Sequence, residues 1–141
     1  TIMARSADPI ERPAIRPGYL SVSDDYRVLL AGVEHARSIF KAPAFQKVSA
    51  GEIAPGADVA TEDELREFAR RAGTTLYHPV GTCKMGEDEQ AVVDSRLRVR
   101  GVENLRVIDA SVMPTLTTGN PNAPTILIGE KGAAMIREDN A

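Results

Sequence analysis

Two stretches of this sequence hold residue types that could do chemistry. The first runs Thr75-Leu76-Tyr77-His78-Pro79-Val80-Gly81-Thr82-Cys83-Lys84-Met85-Gly86. An unperturbed histidine changes charge close to neutral pH, which suits it to take a proton from a substrate. Here it leaves an apolar run and is followed by a proline and two glycines, where backbone can approach a ligand closely. The plainer reading is a hydrogen-bonded loop histidine, and one short motif does not decide between the two. His35 offers a contrast, because it falls beside Glu34 and Arg37 on the polar side of a helical pattern. It is assigned no role. Cys83 would need an activating environment to serve as a nucleophile, and no second motif supplies a base.

The second stretch is Val107-Ile108-Asp109-Ala110-Ser111, followed by Thr117-Thr118-Gly119-Asn120-Pro121-Asn122-Ala123-Pro124-Thr125. An apolar strand ending in Asp-Ala-Ser places an acid and free amides at its carboxyl edge, a usual ligand location in open α/β sheets. Asn122 falls near the N-cap of a final helix, with Pro124 in its first turn. Helix N-termini carry partial positive charge and unpaired amides, so they hold anions. A capping role alone also accounts for Asn122, and the two roles are compatible. Arg70-Arg71 and Glu62-Asp63-Glu64 read as solvated faces.

The elements that must position these residues follow from periodicity and punctuation. Pro9, Pro13 and Pro17 make the first 20 residues extended, since each proline fixes φ and pushes its predecessor toward β geometry. Ser23 and Asp24 stand at an N-cap, and Tyr26, Leu29, Leu30, Val33, Ala36, Ile39 and Phe40 have one-faced helical spacing, predicting a helix over 24–40. Pro43 should end it, and Pro55-Gly56 marks a loop. Thr61 and Glu64 form a capping box for a second helix with Leu65, Phe68, Ala69 and Ala72 on its buried stripe. Gly73 should supply a left-handed stop. Short β-type runs are expected at 74–77, 91–93, 96–99 and 105–108. Residues 111–122 are turn-rich, and Pro124 to Arg137 is helical again. No internal repeat or low-complexity segment is present.

Composition bounds the answer without naming it. The chain has 141 residues, 43% hydrophobic and 26% charged, the ordinary balance of a soluble globular protein. A net charge of -3 gives no bulk attraction to nucleic acid or anionic lipid. The single cysteine excludes an internal disulfide framework and any zinc site of several thiolates. No metal site is expected. No run nears the roughly 18 apolar residues that span a bilayer, and no secretory leader opens the sequence. The expectation is a cytoplasmic polypeptide.

The two chemical stretches extend into four ordered blocks. These are Tyr77 to Gly86; Val92-Val93-Asp94; Gly101-Val102 with Asn104-Leu105-Arg106-Val107, Asp109-Ala110-Ser111 and Met113-Pro114; and Gly119 to Ile126. Together they closely resemble the C-terminal region of the glucose–methanol–choline (GMC) family of flavin oxidoreductases, in particular its choline dehydrogenase-like alcohol dehydrogenases. Ser6-Ala7-Asp8-Pro9 and Pro17-Gly18-Tyr19-Leu20-Ser21 are similar to the family's substrate-domain strand region, so the likeness covers essentially the whole chain. The family's G-x-G-x-x-G dinucleotide fingerprint has no match here.

The resemblance implies an α+β, C-terminal portion of a two-domain FAD-dependent oxidoreductase. Residues 1–85 would be part of the substrate-binding domain, and 86–141 the closing strand and helix of the FAD domain. The partners implied are a small alcohol and the N-terminal FAD-binding portion of the same enzyme. The activity implied is transfer of hydride from a CH–OH donor to flavin. His78 matches the family's catalytic histidine, and Asn122 the partner position, where an amide donates a hydrogen bond to the developing alkoxide. Asp109 and Ala110 match the strand end near the flavin's ribityl–pyrophosphate portion. Asn122 and Ala123 would aim the last helix's positive end at the flavin ring, favouring its reduced form. Leu76 and Tyr77 would shape the substrate pocket. Two other readings stay open: a hydroxynitrile lyase on the same scaffold, and a non-catalytic interaction module that associates with itself or a partner through exposed core-facing surface.

Overall fold

The stretch with the clearest one-faced spacing forms α1, Ser23–Phe40, in the computed structural model, which describes residues 1–141. Its cap position is Val22, with no side-chain capping bond, so Ser23 and Asp24 lie inside the helix rather than at its cap. Asp24 and Asp25 instead sit in the first turn, where the helix's positive end favours acids. Tyr26 and Leu30 are its buried residues. Pro43 does not simply stop the chain. It occupies the first position of a short second helix, α2, Pro43–Gln46, where a missing N–H costs nothing.

α3, Glu62–Ala72, opens with the capping box: the Glu64 amide donates to Thr61 Oγ1 at 3.3 Å, and the Thr61 amide donates to Glu64 Oε2 at 2.9 Å. Gly73, however, has φ -63° and ψ 137°, an extended conformation and not a left-handed one. Its reason is space, because a Cβ there would stand 2.4 Å from the Ala69 carbonyl oxygen. α1, α2 and α3 belong to one compact unit, Ile15–Thr74. Tyr26 joins α1 to α3 by accepting from Arg70 Nε at 2.8 Å. Arg37 ties the following loop to α1 through Glu52 and the carbonyls of Gly56 and Val59.

The other unit comprises Thr1–Ala14 with Thr75–Ala141. Regular strand is confined to the short pairing of β1, Ile2–Met3, with β2, Ala14–Ile15. The β-type runs at 74–77, 91–93, 96–99 and 105–108 do not become strands. The last three supply only isolated bridges, Met85 with Val93, Val93 with Val99 and Arg98 with Arg106, and 74–77 supplies none. The chain reverses too often to extend, with Tyr77, Leu97, Asn104 and Gly101 all at positive φ. Asp94 holds one reversal by accepting from the amides of Arg96 and Arg98 at 2.8 and 2.9 Å. Val93, Leu97 and Val112 form the core of this unit, packed by Met85, Val92, Val99, Val107, Ile108, Ile128 and Met135. Each fully buried valine contributes about 1.5–3 kcal/mol of hydrophobic stabilisation.

The last helix, α4, runs Asn122–Asp139. It turns Ile128, Gly132 and Met135 toward that core, while Ile126 and Leu127 are both 60% exposed. Its C-terminal end is anchored by Arg96, which pairs with Glu138 and Asp139, and by Arg106, which also bonds Asp139. The hydrogen bond from Arg106 is the main reason the Asp139 carboxyl lies below the usual carboxylate range. Midway, Gly132 lets α4 approach Ile108: a Cβ there would lie 2.4 Å from Ile108 Cγ2. Such overpacking costs about 1–3 kcal/mol, against roughly 1 kcal/mol that alanine gains over glycine in a helix. Gly132→Ala is therefore expected to lose about 1 kcal/mol net, read as a lower urea midpoint. An unchanged midpoint would show that Ile108 yields freely.

Candidate active site

The segment before His78 folds as it does because of one short polar contact. Thr75 Oγ1 accepts the Tyr77 amide at 3.0 Å, closing a two-residue turn. Tyr77 sits at φ 61°, a left-handed conformation that bulky residues avoid. The turn lifts Leu76 and Tyr77 off the protein, each 81% exposed. His78 follows, half-buried, and its ring makes no hydrogen bond within the chain. The plain alternative of a hydrogen-bonded loop histidine does not describe it. His35 is exposed on α1.

Downstream, the chain is pinned to the second stretch. Gly81 turns it at φ 85°, a left-handed conformation that favours glycine. The Cys83 amide then donates to Ser111 O at 3.0 Å, and the Met85 amide to Val112 O at 2.8 Å. Cys83 itself is half-buried and unpaired. Ala110–Val112 is a single 3-10 turn, capped by Asp109, whose carboxylate accepts the Ser111 amide at 2.7 Å. That carboxylate is occupied by the backbone, so Asp109 shapes the turn that presents Ala110.

The 3-10 turn packs against α4, which brings the third segment to the same unit. The cap position of α4 is Pro121, and no side chain caps the helix. Asn122 is the first helical residue, which corrects the expectation that it is the cap. A residue with helical backbone there points its side chain away from the N2 and N3 amides that a cap would bind. Its amide side chain is exposed and makes no hydrogen bond within the chain. The backbone amides of Asn122 and Ala123 are likewise unpaired, and both residues are exposed. α1 and α3 offset their positive ends with acids in the first turn, but α4 carries none. An uncompensated helix end with open amides fits an electron-rich ring edge or a phosphate. The donor set is therefore suited to the part of FAD that the resemblance brings here.

His78, Ala110, Asn122 and Ala123 thus lie on three segments of one unit joined by backbone hydrogen bonds and packing. Leu76 and Tyr77 project from the first of these, largely exposed. None of the candidate residues lines the groove at the other end of α4, whose walls include Arg98, Arg100, Arg106 and Asp139. No three of the histidine, cysteine, aspartate and glutamate side chains come together to hold a metal. No helix is long and apolar enough to cross a membrane. Thr75 has no role in the sequence reading, and its only signal is that threonine hydroxyls can bind the backbone two residues on in a turn.

Comparison with known proteins identifies the family. The chain is 48% identical over 132 residues to an alcohol dehydrogenase [acceptor] of Pseudomonas putida, covering 94% of this chain and 24% of the relative. It is 48% identical over 136 residues to an oxygen-dependent choline dehydrogenase of Cronobacter sakazakii, covering 96% and 24%. Among solved structures, an FAD-dependent oxidoreductase from Chaetomium thermophilum superposes with a TM-score of 0.91 at 30% identity, over 99% of this chain and 24% of that one. A fungal aryl-alcohol oxidase does so with a TM-score of 0.85 at 33% identity, over 99% and 23%. The chain spans about a quarter of the length of these relatives. The family model described as GMC oxidoreductase matches residues 1–129, and the chain belongs to the GMC oxidoreductase family.

Proposed function

We propose that this chain supplies the proton-handling side of the active site in an FAD-dependent, choline dehydrogenase-like oxidoreductase that oxidises a small alcohol to a carbonyl compound. The observation that carries this reading is His78: a half-buried imidazole with no partner in the chain, behind a strained residue, at the position matching the family's base. Neither ring nitrogen is bound within the chain, which leaves the imidazole to a substrate hydroxyl. His78 takes the hydroxyl proton, and the Asn122 amide, equally unpartnered, donates to the alkoxide oxygen as charge develops there. Neither role can be exchanged, since an amide has no basic site for the proton.

FAD, when bound, accepts the hydride from the alcohol carbon. The Ala110 amide, on the turn shaped by Asp109, would hold its phosphate portion. Asn122 and Ala123 would present the open end of α4 to its ring. Leu76 and Tyr77 would line the alcohol's apolar side. Residues 1–85 are assigned to the substrate-binding part, and 86–141 to the FAD-binding part, completed by the N-terminal FAD-binding portion of the enzyme. The dehydrogenase and oxidase names of the relatives favour this redox reading over a lyase or a non-catalytic module. The test is product analysis with the complete enzyme, primary alcohols and an artificial electron acceptor. The expected result is carbonyl product matched by reduced acceptor. Cyanohydrin cleavage without acceptor reduction would overturn the redox reading.

A further inference from the structure

We infer that Thr75 is a positioning residue for His78, acting through the turn that its hydroxyl closes. This rests on the role proposed for His78 and deepens it. Tyr77 holds φ 61° although its side chain is 81% exposed, so packing within this chain does not impose that conformation. A left-handed conformation in a non-glycine residue is unfavourable and persists only where its surroundings enforce it. Two constraints bracket it. On one side the Tyr77 amide is bound by Thr75 Oγ1 at 3.0 Å. On the other, Pro79 fixes its own φ, and four residues later the chain is fastened where the Cys83 amide donates to Ser111 O at 3.0 Å.

His78 lies between these constraints and has no hydrogen bond of its own to hold it. Its ring pose is therefore set by backbone direction, and that direction is set by the turn at Tyr77. Removing the Thr75 hydroxyl frees Tyr77 to relax to negative φ, which redirects the chain at the next residue. A base displaced by about 1 Å from its substrate proton can lose as much as a hundredfold in rate.

The test uses the complete, FAD-loaded enzyme with three substitutions at this position. Thr75→Val keeps the shape and removes the acceptor, Thr75→Ala removes both, and Thr75→Ser keeps the hydroxyl. Thr75→Val and Thr75→Ala are expected to slow the limiting rate of flavin reduction by an alcohol by about ten- to a hundredfold. Flavin content should be unchanged, and Thr75→Ser should stay within about twofold of the parent, because its hydroxyl closes the same turn. Amide hydrogen exchange at Tyr77, a readout independent of turnover, should accelerate in the Val and Ala variants alone. Parent-like rates in Thr75→Val, or no difference between Ser and Ala, would overturn the inference if His78→Ala measured alongside is impaired. If His78→Ala also keeps the parent rate, the reading of the site itself fails, and the positioning role falls with it.

Discussion

His78→Ala in the complete enzyme is expected to lower the rate of flavin reduction by an alcohol by roughly a hundredfold or more, within the range for losing a general base. The ring has no hydrogen bond within the chain to lose, so the fold should tolerate the change. Flavin content should stay at the parent level, because none of the backbone amides assigned to the cofactor belongs to His78. The pH dependence of the rate should lose one ionisation, since alanine cannot exchange a proton. His35→Ala is the control, being exposed on α1, and should change neither quantity. Stopped-flow absorbance from about pH 6 to pH 9 reads both effects. Parent-like kinetics across that range would remove the base from this position.

Asn122→Ala is expected to slow the same step by roughly ten- to a thousandfold, the range for losing one donor to a developing negative charge. It should do so with little loss of stability. A capping asparagine would take about 1 kcal/mol of stability with it, but here Pro121 is the cap position and the Asn122 side chain bonds nothing in the chain. Rate and stability therefore separate two roles that the sequence could not separate. A lower unfolding midpoint with an unchanged reduction rate would mean that Asn122 serves the helix and not the alkoxide. Asn122→Asp is informative beside it, because a carboxylate cannot donate and repels an oxyanion.

The helices were legible where one physical signal dominated. The spacing of Tyr26, Leu30 and Val33 announces α1, and Thr61 with Glu64 announces the start of α3 by a bond pattern that exists as read. The β-type runs misled because alternation reports what a residue could do beside a neighbouring strand. It does not report whether the chain turns first, and left-handed residues such as Tyr77 and Leu97 carry no glycine to mark the turn. Gly73 was legible as necessary but not for its cause, since the crowding by Ala69 O exists only once the helix is built. Which face of α4 meets the core was also hidden. Ile126, Leu127 and Ile128 are equally apolar, and the contact with Ile108 at Gly132 selects Ile128 for the core.

For the site, spacing alone left His78 and Asn122 between chemical and plain structural readings. The resemblance supplied their roles. What neither could supply is that both side chains are unpartnered, because hydrogen bonding is a property of the assembled loops. The strain at Tyr77 and its Thr75 partner were equally out of reach, since φ is not written in a residue's name.

His78, Asn122 and the open end of α4 are proposed to serve the oxidation of an alcohol by bound flavin. The most direct measurement is anaerobic mixing of the complete, FAD-loaded enzyme with an excess of primary alcohols, including choline, with absorbance and product recorded together. The expected result is bleaching of the oxidised flavin band, with one carbonyl product formed per flavin. A flavin that stays oxidised with every alcohol offered, and no carbonyl product, would contradict it.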